Sequence, residues 1–307
     1  MLIAKKTSQI MSATTSTAPV ATLHTEATFS FRRRFIKTFF RNKVAVLGLI
    51  IISVMIFCAL FAPFIAPYDP NKTNVRDRFL PPSSTYFLGT DDFGRDIFTR
   101  LLYGATLSLQ IALISQTIAV SLGITLGLIS GWYGGLIDDA IMRLTDAIFA
   151  IPGLIFLIVW VSILTPSKES IFLALGIIGW ASDARLMRAQ VLSMKEREFV
   201  LAARAMGASA QRIMLRHLLP NCLAPTIVLA SLGIAGVILA EAGLSYLGLG
   251  VQIPNPSWGS MINAGGPLIT RAWWYALFPG LAIMLTVLGF NFVGDGLRDA
   301  LDPKLYE

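Results

Sequence analysis

Charge is the scarcest ingredient of this 307-residue chain: 14% of its residues are Asp, Glu, Lys or Arg, while 55% are hydrophobic. Soluble domains carry roughly 25% charged residues. Too little polar material is present to cover a water-facing surface, and a mean hydropathy of +0.67 makes lipid the solvent for much of the chain. Cysteine is almost absent. Cys58 and Cys222 lie in or beside apolar segments with no His or Asp at ligand spacing, so neither a disulfide framework nor a metal site has support. Both read as small buried hydrophobes. There are two histidines, His24 and His217, and no Gly-x-x-x-x-Gly-Lys-Ser/Thr, Gly-x-Ser-x-Gly or His-Glu-x-x-His. The chain therefore hydrolyses no nucleotide by itself, and no catalytic residues are assigned.

Positive charge is in excess but unevenly placed. Residues 1–43 hold eight of the 25 Lys and Arg and one Glu, leaving seventeen residues of each sign in the remainder. A surplus held before the first long apolar run belongs to a membrane surface, and a nucleic-acid partner is not expected. Residues 1–30 are rich in Ser, Thr and Ala, have no hydrophobic periodicity and no signal-peptide h-region, and are expected to form a disordered tail. Residues 31–43 set Arg32, Arg33, Arg34, Lys37, Arg41 and Lys43 among Phe35, Ile36, Phe39 and Phe40. This is an amphipathic basic segment suited to anionic lipid headgroups.

A spanning helix needs about 20 apolar residues to cross about 30 Å of hydrocarbon. Six stretches qualify: Val44 to Ala66, Gly104 to Gly131, Ile141 to Leu164, Ser170 to Met187, Cys222 to Leu247 and Ala272 to Val293. The expected fold is an all-α integral membrane protein with six transmembrane helices. Residues 67–103 form an external segment, and residues 104–303 form a core with five of the spans. With the N-terminus in the cytoplasm, that side receives 18 of the Lys and Arg and the other side seven, so both termini are predicted cytoplasmic. Pro152 is expected to bend the third span.

Gly123, Gly127 and Gly131 share one helical face, fitting either packing within one subunit or a seam between subunits. Trp132 with Tyr133, and Trp273 with Trp274 and Tyr275, fall at span ends as interfacial anchors do. Asp138, Asp139, Arg143 and Asp146 read as a solvated helix terminus or a gate. Asp183, Arg185 and Arg188 read as the end of the fourth span. Glu241 lies inside the fifth span, where it is either a substrate-pathway group or an acid locking helices together.

The connection between the fourth and fifth spans, residues 196–219, carries the clearest pattern. Phe199, Ala202, Ala203 and Met206 recur at i, i+3, i+4 and i+7, one apolar stripe on a short helix. Gly207 supplies a left-handed stop, and Ser209 caps a second helix expected to end before Pro220. Small alanines allow close approach by another protein's groove, and the surrounding arginines suit an acidic rim. By periodicity alone the same element could lie on the bilayer as an amphipathic helix.

The residues favour docking. Ala202-Ala203-x-x-x-Gly207 followed by Leu219-Pro220 resembles the EAA loop of ABC-importer permeases, with Leu201 where that family's name-giving Glu stands. Three further stretches resemble the peptide/nickel importer group, specifically its second, C-type permease subunit: Ala62 to Pro70 (APFIAPYDP), Leu88 to Asp96 (LGTDDFGRD), and Leu244 to Gln252 (LSYLGLGVQ) with Pro256 to Gly259 (PSWG). The resemblance runs from about Phe31 to Lys304. It implies a type I ABC-importer permease fold, in which Phe199, Ala202, Ala203, Met206, Gly207, Leu219 and Pro220 couple the chain to ATP hydrolysis.

The implied partners are a homologous second permease subunit, two ABC ATPase subunits and a periplasmic solute-binding protein, with membrane lipid around them. No cofactor is expected on this chain, and ATP and magnesium belong to the ATPase partners. The implied location is the bacterial inner membrane. The expected function is import of di- or oligopeptides, or of a related solute such as a nickel chelate or glutathione-like peptide, by alternating access. The external segment, with five acidic residues, either docks the binding protein through Asp91, Asp92, Arg95 and Trp258 or merely caps the helix ends. A secondary transporter would need internal repeats and coupling-ion acids, and an integral-membrane enzyme would need a catalytic cluster; the sequence supplies neither.

Overall fold

The computed structural model describes residues 33–164, 167–252 and 254–301, so the tail expected at 1–30 lies outside the described residues. The described part of the basic segment opens as a helix, α1 (33–41). Asn42 then caps α2 (Lys43–Leu60), its Oδ1 accepting from the Val44 and Ala45 N–H groups at 3.0 and 3.2 Å. The first span is shorter than its apolar run. The chain kinks at Phe61, and Pro63 falls in the first turn of a separate four-residue helix, α3 (Ala62–Ile65).

Beyond the external segment come α4 (Ile97–Tyr133), α5 (Gly135–Ala150), α6 (Gly153–Ile163), α7 (Lys168–Met194), α8 (Glu198–Ala205), α9 (Ala210–Ile213), α10 (Leu219–Tyr246), α11 (Trp258–Gly265) and α12 (Trp273–Leu301). No strand occurs among the described residues. Five stretches are long and apolar enough to cross a membrane: α2, α4, α7, Ala210–Tyr246 and α12. The sixth candidate is a broken one. α5 and α6 meet at 89°, with Ile151 held extended before Pro152. The bend expected at Pro152 is present and splits the span into two arms.

Two sequence expectations fail for local reasons. The helix after Ser209 does not end before Pro220 but runs on to Tyr246, because the turn Met214–Leu218 widens to a π-helix. The Leu219 N–H reaches back to the Met214 carbonyl, and this five-residue spacing accommodates the ring and missing donor of Pro220. The fourth span, expected to end at Met187 among Asp183, Arg185 and Arg188, does not stop there either. α7 continues to Met194 and buries Asp183.

The bundle is organised on α4 and α7. The glycines at 123, 127 and 131 face α7 of the same chain: a Cβ at 123 would collide with that of Asp183, one at 127 with the Ala184 carbonyl, and one at 131 would lie 2.7 Å from the Val191 Cβ. This stripe is a packing face within the subunit, and α7 leaves no room for a second subunit there. At 37 residues α4 is about 55 Å long, so it protrudes beyond the hydrocarbon and carries structure at both ends. Both cysteines are free; Cys222 is buried and Cys58 is only half-buried, less enclosed than expected.

Candidate functional site

α8 is a short helix fastened along one edge. Val200 and Ala203 are 0% and 2% exposed and join a cluster with Leu128 of α4, Met187 and Val191 of α7, and Ile213 and Leu218 beyond. Burying a valine side chain is worth about 1.5–3 kcal/mol. Two further contacts brace the same edge: the Arg204 guanidinium stacks 4.5 Å over the Trp132 ring, and Lys195 donates to the Gly131 carbonyl at 3.3 Å. Trp132 thus supports α8 as well as ending α4, a role its position at a span end did not reveal.

Among the described residues the opposite edge is unpartnered. Phe199 and Met206 are 40% and 81% exposed, and Ala202 is exposed between them. The stripe read from the sequence is therefore split. Phe199, Ala202 and Met206 face outward, and Ala203, expected on the docking face, points into its own chain because it shares the inward edge with Val200. Leu219 and Pro220 are likewise not on this face: Leu219 packs against the core cluster, and Pro220 lies at the entry to α10.

Gly207 ends α8 as expected, at φ +77°. Its N–H donates to the Arg204 carbonyl and that of Ala208 to the Ala203 carbonyl, the pair of bonds that closes a helix through a left-handed residue. No atom lies within 4 Å of where a Cβ at 207 would stand. Ser209 is the next cap, accepting from the Arg212 N–H at 3.4 Å.

On the other side of the bundle, three of the four candidate docking residues are interior. Asp91 is fully buried, and its Oδ1 accepts from the Phe93 and Arg95 N–H groups. Its Oδ2 accepts from Arg95 Nε at 2.6 Å and lies 3.5 Å from Arg100 Nε. Trp258, 1% exposed, donates its indole N–H to the Leu101 carbonyl. These residues fold the external segment and tie α11 to α4, since a buried charge needs its partner close by. Asp92 alone keeps part of its side chain, 29%, in the open, and it accepts from the Tyr275 hydroxyl.

Trp274 and Tyr275, expected as interfacial anchors, are buried and clamp the segment: Trp274 donates to the Thr90 carbonyl. Elsewhere in the segment Tyr86 donates to Asp77 Oδ2, and this bond, aided by burial, pushes the phenol up to about 12. Burial pushes the carboxyl of Asp96, the cap of α4, up as well.

Glu241 is 1% exposed in the bundle interior. It accepts from Ser245 Oγ at 2.7 Å and Ser108 Oγ at 3.2 Å, and Ser257 in turn donates to Ser245. The carboxylate thus gathers α4, α10 and the entry to α11, the geometry of a helix lock. Glu241→Leu removes the acceptor from two buried hydroxyls, at about 1–3 kcal/mol each, and is expected to lower the melting temperature of the assembled protein. Glu241→Gln keeps an acceptor and is expected to retain both assembly and uptake. Lost uptake by a well-assembled Gln variant would put Glu241 in the pathway instead.

The acidic cluster on α5 does not pair internally. Asp138 accepts from Arg188 Nε and Nη2 and from Ser130 Oγ, and Asp146 accepts from Arg185 at 2.7 Å. These pairs tie α5 to α7, while Asp139, Arg143 and Asp146 stay exposed as a solvated terminus would leave them.

Residues 123–306 match the family model described as binding-protein-dependent transport system inner membrane component. Residues 30–82 match the N-terminal TM domain of oligopeptide transport permease C. The dipeptide transport system permease protein DppC of Alkalihalophilus pseudofirmus is 48% identical over 89% of this chain and 90% of its own. The oligopeptide transport system permease protein OppC of Bacillus subtilis is 43% identical over 86% and 87%. Among solved structures, an inward-facing MetNI methionine ABC transporter superposes with a TM-score of 0.56 at 17% identity, over 66% of this chain and 96% of that one.

Proposed function

We propose, on the premise that this chain belongs to the family of binding-protein-dependent transport system inner membrane components, that it is the C-type permease subunit of an ATP-driven importer of di- or oligopeptides. The family and the apolar helices make it a multi-pass inner-membrane protein. The observation that carries the mechanism is α8: an apolar edge of Phe199, Ala202 and Met206 is exposed on a helix whose other edge is bolted to α4, α7 and α10. A groove closing on that edge pushes on the three long helices together, because packed interiors transmit displacement.

ATP and magnesium are used by two partner ATPase subunits, which supply what this chain has no nucleotide motif to provide. A homologous permease completes the pathway, and a binding protein delivers the peptide to the outer segment, where Asp92, Val75 and Phe87 offer exposed surface. This reading keeps both termini cytoplasmic, as the Lys and Arg distribution predicts. Affinity purification on a tagged chain is expected to recover two ATP-hydrolysing subunits and a second permease, with peptide uptake that needs ATP. A chain isolated alone that takes up solute on an ion gradient would overturn this reading.

A further inference from the structure

One buried carboxylate, that of Asp183, has no hydrogen-bond or ion-pair partner among the described residues. Asp183 stands near the middle of α7, about 16 Å along the helix from Met194 and about 22 Å from Lys168. It is 3% exposed, and its Oδ1 has no hydrogen-bond partner among the described residues. It lines a cavity of about 350 Å³ whose other polar walls are Gln116 of α4 and Ser182 of α7; apolar residues of α6, α7 and α10 complete it. Gln116 is halfway along α4, 8% exposed, and forms no hydrogen bond or ion pair among the described residues.

Two glycines clear the space for these side chains. Gly123 admits the Asp183 Cβ against α4, and a Cβ at Gly233 of α10 would come within 2.5–2.7 Å of the Gln116 amide. An unpaired carboxylate at mid-membrane depth is costly and adds nothing to packing that a neutral side chain would not. Its presence in a cavity therefore calls for a cationic partner that arrives from outside the chain.

We propose that this cavity binds the primary ammonium group of the transported solute, with Asp183 as counter-charge and the Gln116 amide oxygen and Ser182 hydroxyl as further acceptors. Three acceptors answer the three N–H donors of an ammonium. The inference rests on the peptide-import reading and gives it a contact within the membrane. A peptide's N-terminus and a lysine side chain carry the same group.

The test uses the full importer with its binding protein in proteoliposomes, comparing uptake of Ala-Ala, N-acetyl-Ala-Ala and N-acetyl-Ala-Lys. In Asp183→Asn the preference for Ala-Ala over its acetylated form is expected to fall at least about tenfold, as loss of a buried charge partner requires. The same binding protein serves both complexes, so its own preference cancels. Asp183→Glu is expected to recover part of the preference. Loss for N-acetyl-Ala-Lys as well as Ala-Ala marks the side-chain ammonium as a ligand too, and loss for Ala-Ala alone restricts the site to the N-terminus.

An unchanged preference in Asp183→Asn overturns the proposal. Should that variant fail to assemble, Gly233→Ala, which displaces the Gln116 amide, must lower the same preference, and no change there overturns it equally. A wild-type complex that couples ATP hydrolysis to uptake of some other solute but of none of these peptides overturns the peptide reading, and this inference with it.

Discussion

Gly207→Asp is expected to reduce uptake by the assembled importer at least about 100-fold while the chain stays folded in the membrane. The internal cost is small. Asp tolerates the left-handed region better than most residues, at about 1–2 kcal/mol, and no atom within 4 Å obstructs a side chain at 207. A further 0.3–1 kcal/mol or so arises from a negative charge at a helix C-terminus. Neither term unfolds a bundle whose α8 is held elsewhere, by Val200, Ala203 and the Arg204–Trp132 stack. A carboxylate pushed into a closed protein groove without a partner costs about 3–5 kcal/mol, and 100-fold corresponds to about 2.7 kcal/mol. On the proposed coupling role of α8, the loss arises at the contact with the ATPase subunit. Gly207→Asn, with the same backbone preference and no charge, is expected to keep much of the uptake. Normal transport by Gly207→Asp, measured as peptide uptake and ATP hydrolysis in proteoliposomes, would remove α8 from the coupling path.

The same substitution at Ala203 asks a different question. Ala203 is 2% exposed inside the chain's own cluster, so bulk or charge there unseats α8 from below. Spacing put Phe199, Ala202, Ala203 and Met206 on one stripe, but the structure turns Ala203 inward and leaves the other three facing out. Spacing carried no information on which margin of that stripe meets the bundle, because this depends on Val200 and on partners from α4 and α7 that are remote in sequence. Long-range pairing limited the other readings as well. The six apolar runs, the bend at Pro152 and the stop at Gly207 are local in origin and were legible. Asp138 with Arg188, Trp274 with Thr90, and Glu241 with Ser108 join distant positions that spacing does not pair, and for Asp138 it suggested neighbours on the same helix instead. Asp91 shows the same limit: an acidic residue in an external segment reads as surface until Arg95 and Arg100 are found closing over it.

Gly127→Val is expected to be among the most damaging single changes in the packing of this bundle. A Cβ there meets the Ala184 carbonyl, which is backbone and cannot rotate away, and also lies 2.7 Å from the Met187 Cβ. Overpacking of this kind costs about 1–3 kcal/mol even where side chains can yield, and a β-branched residue against main chain falls at or above the top of that range. Gly131→Val meets the Val191 side chain first and is expected to cost less.

The consequence reaches function, because Met187 and Val191 belong to the cluster that seats Val200 and Ala203. Separating α4 from α7 loosens α8 without touching its outer face. In detergent, the Gly127→Val complex is expected to melt well below the wild type, and ATP hydrolysis that persists is expected to lose its dependence on the binding protein. Gly280→Ala on α12, where nothing lies within 4 Å of the added Cβ, is the control. It is expected to be neutral or to stabilise slightly, since alanine is favoured over glycine within a helix by roughly 0.5–1 kcal/mol. If Gly127→Val melted with the wild type and stayed coupled, the α4–α7 seam would not be the route by which a push on α8 reaches the membrane core.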